Sequence, residues 1–337
     1  MNTKKLSLLF LTILCSLIMG MSFYMYMDDP LFIFHKPYGK YEIKDELYQN
    51  NGIAKHFDYD AVVLGSSMTD NFRISWFQNA FDVNLVKLSY SGGTTANLKL
   101  NMESMFQSKN KIDYVFTALD NYLFVTSSVD YRFDIEDYVR NPQPSNIFKY
   151  LLNKQQFINY FQRDASKKDN YYVTEQKYKF GKKQALGGRK YQPIDNNLPQ
   201  QELDKDLVYK NLDNIIPFVK NNPQTQFYFF APPYSMVYWY DVWNGNRLDS
   251  IMEAQKMVYN ELLQYDNVKL FYLQDNLDIT SNLNNYKDYS HYNGSINKLI
   301  VDTMEKDIDR LTYDNINQVL DAWKVSVNNY DYKAMFD

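Results

Sequence analysis

The sequence predicts an α/β protein: a three-layer sandwich with a central parallel sheet, preceded by one N-terminal transmembrane helix. Two observations predict this class. From residue 60 onward, short apolar runs alternate with amphipathic stretches of helical period. Before them stands one apolar segment, at residues 6–27, that is long enough to cross a bilayer.

Five apolar runs bounded by turn residues are predicted as buried strands, at residues 61–65, 84–90, 113–119, 226–231 and 267–273. Helices are predicted at 74–80, 94–108, 247–265 and 296–311, with a further helix after them. This alternation predicts right-handed crossovers and a flavodoxin-like parallel sheet covered on both faces. Ligands of such sheets bind at the carboxyl ends of the strands, so functional residues are expected just after strands.

The apolar segment Leu6–Met27 is predicted to be a membrane anchor. Lys4 and Lys5 precede it and Asp28 and Asp29 follow it, which places the N-terminus inside and the body outside the cell. A single-pass membrane protein with an extracellular domain is therefore expected.

A cleaved signal peptide remains an alternative, because Gly20 and Ser22 offer small side chains for cleavage. A lipoprotein signal at Cys15 is disfavoured, since no small residue stands directly before it. Residues 28–57 are interpreted as a connector and residues 58–337 as the α/β domain. An insertion at about 121–205, which is rich in Asn, Gln, Lys and Tyr, serves as a lid, as a partner surface or as padding.

Composition excludes some classes of function. The net charge is −4, the pI is near 5.5, and no run of Lys or Arg indicates nucleic acid as a partner. Cys15 is the only cysteine, so one chain can hold neither a disulfide nor a cysteine-based metal site. The 31 Tyr and 22 Phe fit a carbohydrate-facing surface, but the nucleotide bias of an A/T-rich genome is the favoured explanation.

The first strand ends in a serine pair. In V-L-G-S-S-M-T-D-N-F (63–72), a serine follows a buried strand at the start of a helix, where backbone N–H groups converge. Such N–H groups can stabilise an oxyanion, which suits a nucleophile. The alternative is that Ser66, Ser67 and Thr69 only cap the helix.

The candidate base is one of three histidines. His35 and His56 precede the α/β domain, whereas His291 follows the last predicted strand and its loop. Asp288 stands three residues before His291, a spacing at which the carboxylate can hold one imidazole nitrogen and leave the other facing outward. The alternative is a surface loop with a helix-capping aspartate.

Together, G65-S66-S67 and D288-Y289-S290-H291 resemble the SGNH/GDSL hydrolase superfamily. The resemblance covers roughly residues 58–311. It implies Ser67 as nucleophile, with Ser66 as the alternative, His291 as base and Asp288 as its orienter. It also implies an oxyanion contact from Gly92 or Gly93 and requires neither a cofactor nor a metal.

The third block of the family departs from its pattern. It is present only as A118-L119-D120-N121, with Asp120 where the oxyanion-hole asparagine is expected. A carboxylate there repels a developing negative charge unless it is protonated. Either Asn121 replaces the missing amide or the oxyanion hole is built differently.

With its anchor and F-F-A-P-P-Y-S (229–235), the chain looks most like extracellular acyl-transfer proteins of surface-polymer assembly, such as teichoic-acid D-alanylation proteins. This implies a serine esterase or O-acyltransferase that acts on a surface polysaccharide or teichoic acid, beside a membrane-bound O-acyltransferase. One alternative is an inactive accessory or glycan-binding protein of the same fold. Another is a metal-dependent phosphoesterase built on Asp58, Asp60 and Asp70.

Overall fold

The computed structural model describes residues 3–38, 41, 43, 46–108, 111–128, 137–161, 178–195 and 197–337, with the backbone alone at 159–161. Two compact units divide the chain. The first comprises Met1–Asp58, Gln107–Lys109 and Tyr131–Tyr171, and the second comprises Tyr59–Phe106, Asn110–Asp130 and Tyr172–Asp337. The second unit begins one residue after the predicted start of the α/β domain at residue 58, but residues 107–109 and 131–171 of that predicted domain belong to the first unit.

The second unit contains a six-stranded sheet in the order β2-β1-β3-β4-β5-β6. The strands are β1 Ala61–Gly65, β2 Leu85–Ser89, β3 Tyr114–Ala118, β4 Gln226–Ala231, β5 Val268–Tyr272 and β6 Arg310–Leu311. The first five are parallel and β6 is antiparallel to β5. The five predicted strands and the flavodoxin-like order are thereby confirmed.

Helices accompany the sheet on both faces. The helices of this unit are α3 Ile74–Phe81, α4 Thr95–Gln107, α5 Tyr122–Val125, α9 Lys182–Leu186, α10 Lys205–Leu212, α11 Ile216–Asn221, α12 Met236–Asn244, α13 Leu248–Leu262, α14 Leu277–Thr280, α15 Gly294–Glu305, α16 Ile316–Asn329 and α17 Tyr332–Phe336. Phe81 of α3 packs on Phe116 and Tyr228 at ring distances of 4.9 and 5.5 Å, whereas Phe106 of α4 packs on Phe227 at 6.2 Å. Because neighbouring residues of a strand point to opposite faces, α3 and α4 lie on different sides of the sheet.

The end of the last predicted helix differs from expectation. The sequence predicts a helix over 296–311, but α15 ends at Glu305 and residues 310–311 form the edge strand β6. Asp307 and Asp309 both have positive φ, 55° and 56°, and turn the chain back along β5. Aspartate tolerates this left-handed conformation better than most residues, so the break occurs without glycine.

The first unit begins with α1 Thr3–Asp28, which is the one helix among the described residues that is long and apolar enough to span a membrane. The unit also contains α2 Glu46–His56, α6 Asp137–Arg140, α7 Ile147–Leu151 and α8 Lys154–Phe161. Residues 28–57 were expected to be an irregular connector, but 11 of them form helix α2. Gly52 allows α2 to pack closely against Phe32, since a Cβ there would lie 2.3 Å from the carbonyl oxygen of Phe32.

The predicted insertion at 121–205 divides between the units. Residues 131–171 belong to the first unit and residues 172–205 to the second. Residues 129–136, 162–177 and 196 of this insertion lie outside the described part of the chain. Its role as a lid or partner surface remains a prediction.

Phe116→Ala should lower the free energy of unfolding by about 3–5 kcal/mol, because it leaves a cavity among Phe77, Phe81 and Tyr228 on one face of the sheet. Denaturant unfolding of the full chain in detergent measures the loss. Val325→Ala, at a side chain that is 59% exposed, is the matched control and should change stability by less than about 0.5 kcal/mol. Equal losses in both variants would contradict this account of the core.

Candidate active site

The first strand ends in a turn that only glycine permits. Gly65 has φ 151°, and a Cβ there would lie 2.6 Å from the γ-methyl of Thr69. A 3-10 turn, Ser67–Thr69, follows directly, and the Ser66 hydroxyl caps it by accepting a hydrogen bond from Met68 N at 3.2 Å. The capping role considered for Ser66 is therefore present, and Ser67 occupies the first position of the turn.

The structure brings Ser67, His291 and Asp288 together in one chain of hydrogen bonds. Ser67 Oγ lies 2.7 Å from His291 Nε2. On the other side of the imidazole, Nδ1 lies 2.8 Å from Asp288 Oδ2 and 3.0 Å from Oδ1. This is the order of contacts that a nucleophile, a base and an orienting carboxylate require.

The turn that carries His291 is organised around the Asp288 carboxylate. Its Oδ1 accepts hydrogen bonds from the backbone N–H groups of Ser290 and His291 at 2.9 and 2.8 Å. Burial raises the pKa of Asp288, but the hydrogen bond and charge of His291 and these two N–H groups outweigh it and hold that pKa well below its usual range. An ionised carboxylate only accepts hydrogen bonds, so the proton resides on Nδ1 and Nε2 is left to accept from Ser67.

Ser66, the alternative nucleophile, faces a different partner. Its hydroxyl donates to Asp120 Oδ2 at 2.6 Å, and the residue is 2% exposed. Among the described residues, the hydroxyl that contacts His291 Nε2 belongs to Ser67. The geometry therefore favours Ser67.

Asp120 is a fully buried carboxyl with a hydroxyl donor on each oxygen. Ser66 donates to Oδ2 and Tyr234 donates to Oδ1 at 2.5 Å. Burial raises the pKa of Asp120, and these two hydrogen bonds offset part of the effect. Sequence reasoning placed Asp120 in the oxyanion hole, whereas its bonds in the structure connect it to the turn after β1 and to Tyr234 after β4.

Asn121 and Gly93 are engaged elsewhere. The Asn121 carbonyl accepts from Gln255 at 2.6 Å and its amide donates to Tyr238 at 3.2 Å, so the side chain joins α12 and α13. Gly93 N–H donates to Tyr90 O at 2.9 Å within a turn. Gly92 has φ 70°, and its role in an oxyanion hole remains a prediction.

The sequence did not predict that Asp70 would be a buried carboxyl within electrostatic range of His291. Its Oδ1 is buried without a hydrogen-bond partner in the described part of the chain. Burial raises the pKa of Asp70 to about 6, while the charges of Lys87 and His291 lower it in part. The sequence pattern had offered Asp70 only as a metal ligand.

An aromatic and cationic rim borders the Asp288–His291 turn, and residue spacing gave no signal for it. Tyr289 is 40% exposed and stacks on Tyr238 at 6.3 Å. Arg189 lies 4.8 Å above the Tyr289 ring and forms an ion pair with Asp241 at 2.9 Å. Lys287 lies 3.6 Å above the ring of Tyr178.

Two of the three residues considered for a metal, Asp58 and Asp60, have other partners. Asp60 Oδ1 accepts a hydrogen bond from Asn84 N at 2.8 Å, and Asp58 lies 3.9 Å from Lys36. Within the described residues, no group of three His, Cys, Asp or Glu side chains is placed to hold a metal ion.

Comparison with known proteins finds similarity at the level of structure. No protein-family model matches the chain, and no curated protein matches it in sequence. A solved structure from Streptococcus pneumonia, provisionally described as that of a platelet activating factor, is similar with a TM-score of 0.42 and 13% sequence identity. The match covers 78% of this chain and 90% of that one.

Asp70→Asn should change how stability depends on pH. The folded-state pKa of about 6 lies above the usual value near 3.9, so the native state binds this proton more tightly and wild type loses stability as pH rises between these values. The variant lacks that loss of stability. The melting temperature of Asp70→Asn minus that of wild type should therefore increase from pH 4 to pH 7. Thermal unfolding across this range tests it, with Asp314→Asn, at an exposed residue, as the control. A parallel pH dependence in wild type and Asp70→Asn would refute the assignment.

Proposed function

We propose that this protein is a membrane-anchored extracellular serine esterase or O-acyltransferase that modifies a surface polysaccharide or teichoic acid through an acyl-enzyme. The observation that carries the proposal is the hydrogen-bonded series from Ser67 through His291 to Asp288. A serine hydroxyl is a weak nucleophile on its own, and a neutral imidazole at 2.7 Å is placed to remove its proton as it attacks.

In the first half-reaction, Ser67 Oγ attacks the acyl carbonyl and His291 Nε2 takes the hydroxyl proton. The ionised Asp288 stabilises the imidazolium that forms. Backbone N–H groups of the turn at Ser67 and of Gly92 would stabilise the tetrahedral oxyanion. The intermediate then collapses, the leaving alcohol takes the proton from His291, and the acyl group remains on Ser67.

In the second half-reaction, His291 removes a proton from the incoming hydroxyl, whose oxygen attacks the acyl carbonyl. The bond between the acyl group and Ser67 Oγ then breaks, and Oγ takes the proton back from His291. Water as the acceptor gives an esterase, and a sugar hydroxyl gives a transferase. The exposed ring of Tyr289 supports a sugar acceptor, because aromatic rings stack on the apolar faces of sugars. The cations Arg189 and Lys287 at the same rim are compatible with a polymer that carries negative charge.

The anchor supports an extracellular setting. Helix α1 has the length and composition of a membrane span, with Lys4 and Lys5 at its start and Asp28 and Asp29 after it. Met25, in the last turn of α1, is fully buried against residues of the first unit, which supports retention of the helix over cleavage. A membrane-bound O-acyltransferase that supplies the acyl group is part of the proposal.

A second candidate function is that of a non-catalytic glycan-binding or accessory protein. It is favoured by the carboxylate of Asp120, which stands where the resemblance calls for a neutral amide. In that case the exposed tyrosines would bind the polymer and Ser67 would be dispensable. The reactivity of Ser67 separates the two candidates.

Wild-type full-length protein should be labelled by a fluorophosphonate probe at a single serine, because His291 activates Ser67. Labelling should be lost in Ser67→Ala and reduced at least about a hundredfold in rate in His291→Ala. Intact-mass analysis over time measures both.

Ser66→Ala is the matched comparison, since it removes the neighbouring hydroxyl, which caps the turn at Ser67, and keeps the Ser67 hydroxyl itself. It should still be labelled to completion. An unlabelled wild type, or labelling that persists in Ser67→Ala and disappears in Ser66→Ala, would reject the assigned nucleophile.

Asp288→Asn should lower the hydrolysis rate of a nitrophenyl ester by roughly a hundredfold or more. An amide can donate to Nδ1 and thereby favour the tautomer that carries its proton on Nε2, which cannot accept from Ser67. The rate of nitrophenol release measures the effect, and Asp314→Asn controls for the loss of one acidic charge. A rate in Asp288→Asn equal to that of wild type would remove Asp288 from the mechanism.

A further inference from the structure

We propose that α7 and the residue after it form an interfacial element that lies in the lipid headgroup region beside α1. The membrane contact surface consists of Phe148 and Leu152. The first unit would then contact the bilayer at two places, through the spanning helix α1 and through this membrane contact surface. The inference rests on the membrane-spanning role proposed for α1 and is independent of the chemistry at Ser67.

The depth of α1 in the bilayer locates the outer interface. A helix rises 1.5 Å per residue, so a hydrocarbon core of about 30 Å takes roughly 20 residues. Counted from Leu6, directly after Lys4 and Lys5, this span ends near Met25. The last turn of α1 therefore lies at the outer boundary of the hydrocarbon.

Contacts within the first unit hold α7 and α8 at that level. Met25 is fully buried in a cluster with Leu31, Ile33, Tyr138, Val139 and Tyr150. Tyr24 meets the ring of Phe157 in α8 edge-on at 5.6 Å. The Tyr150 hydroxyl, from α7, donates to Asp29 Oδ1 at 2.7 Å. The contacting residues of α1 and the following turn lie before and after Met25 in the sequence, so α7 lies beside the end of the span.

The chain leaves the span through a fixed turn. Asp29 is fully buried with φ 43°, and its carboxylate accepts backbone N–H groups of Ile33, Phe34 and His35 at 2.9, 2.6 and 3.0 Å. Three N–H donors and the Tyr150 hydroxyl on one carboxylate leave little freedom between α1 and α7. The position of α7 relative to the span is therefore set by the fold.

The composition of α7 and its surroundings suits a lipid interface. Phe148 is 61% exposed and Leu152 is 40% exposed, next to the exposed lysines Lys149 and Lys154. Residues 141–161 contain no acidic side chain. Apolar side chains beside lysines bind the boundary of acyl chains and headgroups, where lipid phosphates attract the cations.

Lipid is the occupant that the surroundings favour. On α1 itself, Phe23, Tyr26 and Met27 are 67, 44 and 42% exposed, so the exposed apolar surface is continuous in depth with that of the span. A second copy of this chain is the competing occupant and would exclude both water and lipid.

Spin labels on single cysteines test the proposal in the full chain, reconstituted in vesicles of phosphatidylcholine and phosphatidylglycerol. Cys15 is the only native cysteine and lies exposed on α1, so labelled wild type reports the hydrocarbon core. In a Cys15→Ser background, Phe148→Cys and Leu152→Cys carry the test label, and Val325→Cys, 59% exposed in the second unit, is the aqueous control. Relaxation by oxygen and by a water-soluble nickel chelate is measured at each position.

At positions 148 and 152, the ratio of the relaxation caused by oxygen to that caused by the nickel chelate should be severalfold above the ratio at 325. It should also be below the ratio at 15. A ratio at 148 and 152 equal to that at 325, with position 15 in hydrocarbon, would overturn the interfacial element and leave the anchor intact. Protection from both reagents would overturn lipid as the occupant in favour of a second copy. An aqueous ratio at position 15 would reject the anchor, and with it this inference, without touching the role of Ser67.

Discussion

A buried series of hydrogen bonds connects the carboxyl ends of four strands. Ser66 after β1 donates to Asp120 after β3, Tyr234 after β4 donates to the same carboxyl, and Gln274 after β5 exchanges hydrogen bonds with the backbone of Tyr234 at 2.9 Å each way. All four residues are almost fully buried. Polar groups in such surroundings cost free energy unless their partners are held in place, so this series fixes the relative positions of the strand ends.

The candidate active site depends on this arrangement. Ser67 and His291 are 224 residues apart in sequence, and their 2.7 Å contact exists only if the end of β1 and the loops after β5 are held at one edge of the sheet. Ser66 takes part in both features, because the same hydroxyl caps the 3-10 turn that presents Ser67. The buried series therefore supports the position of Ser67, the proposed nucleophile, and Asp120 is a positioning residue within it.

The sequence was sufficient for those features that depend on local pattern. Continuous apolar runs predict buried parallel strands, and the observed β1 to β5 agree with them to within about a residue at each end. Ser67, His291 and Asp288 could be named because their motifs resemble those of the SGNH/GDSL hydrolases and because each follows a predicted strand, where ligands of such sheets bind. Pattern could not show that Asn121 bonds to Gln255, since that contact depends on how α13 packs. It also missed α2, whose close approach to Phe32 through Gly52 is a tertiary contact.

The place of Asp120 shows why a departure from a motif need not abolish chemistry. A carboxylate in contact with a developing oxyanion would raise the barrier, but both oxygens of Asp120 already accept hydrogen bonds from the hydroxyls of Ser66 and Tyr234. Those two donors partly screen the charge that Asp120 presents to the site. Oxyanion stabilisation would then rest on backbone N–H groups, which require no particular side chain. The substitution of Asp for Asn at this point changes the scaffold of the proposed site and leaves its proton-transfer series, Ser67 to His291 to Asp288, unaltered.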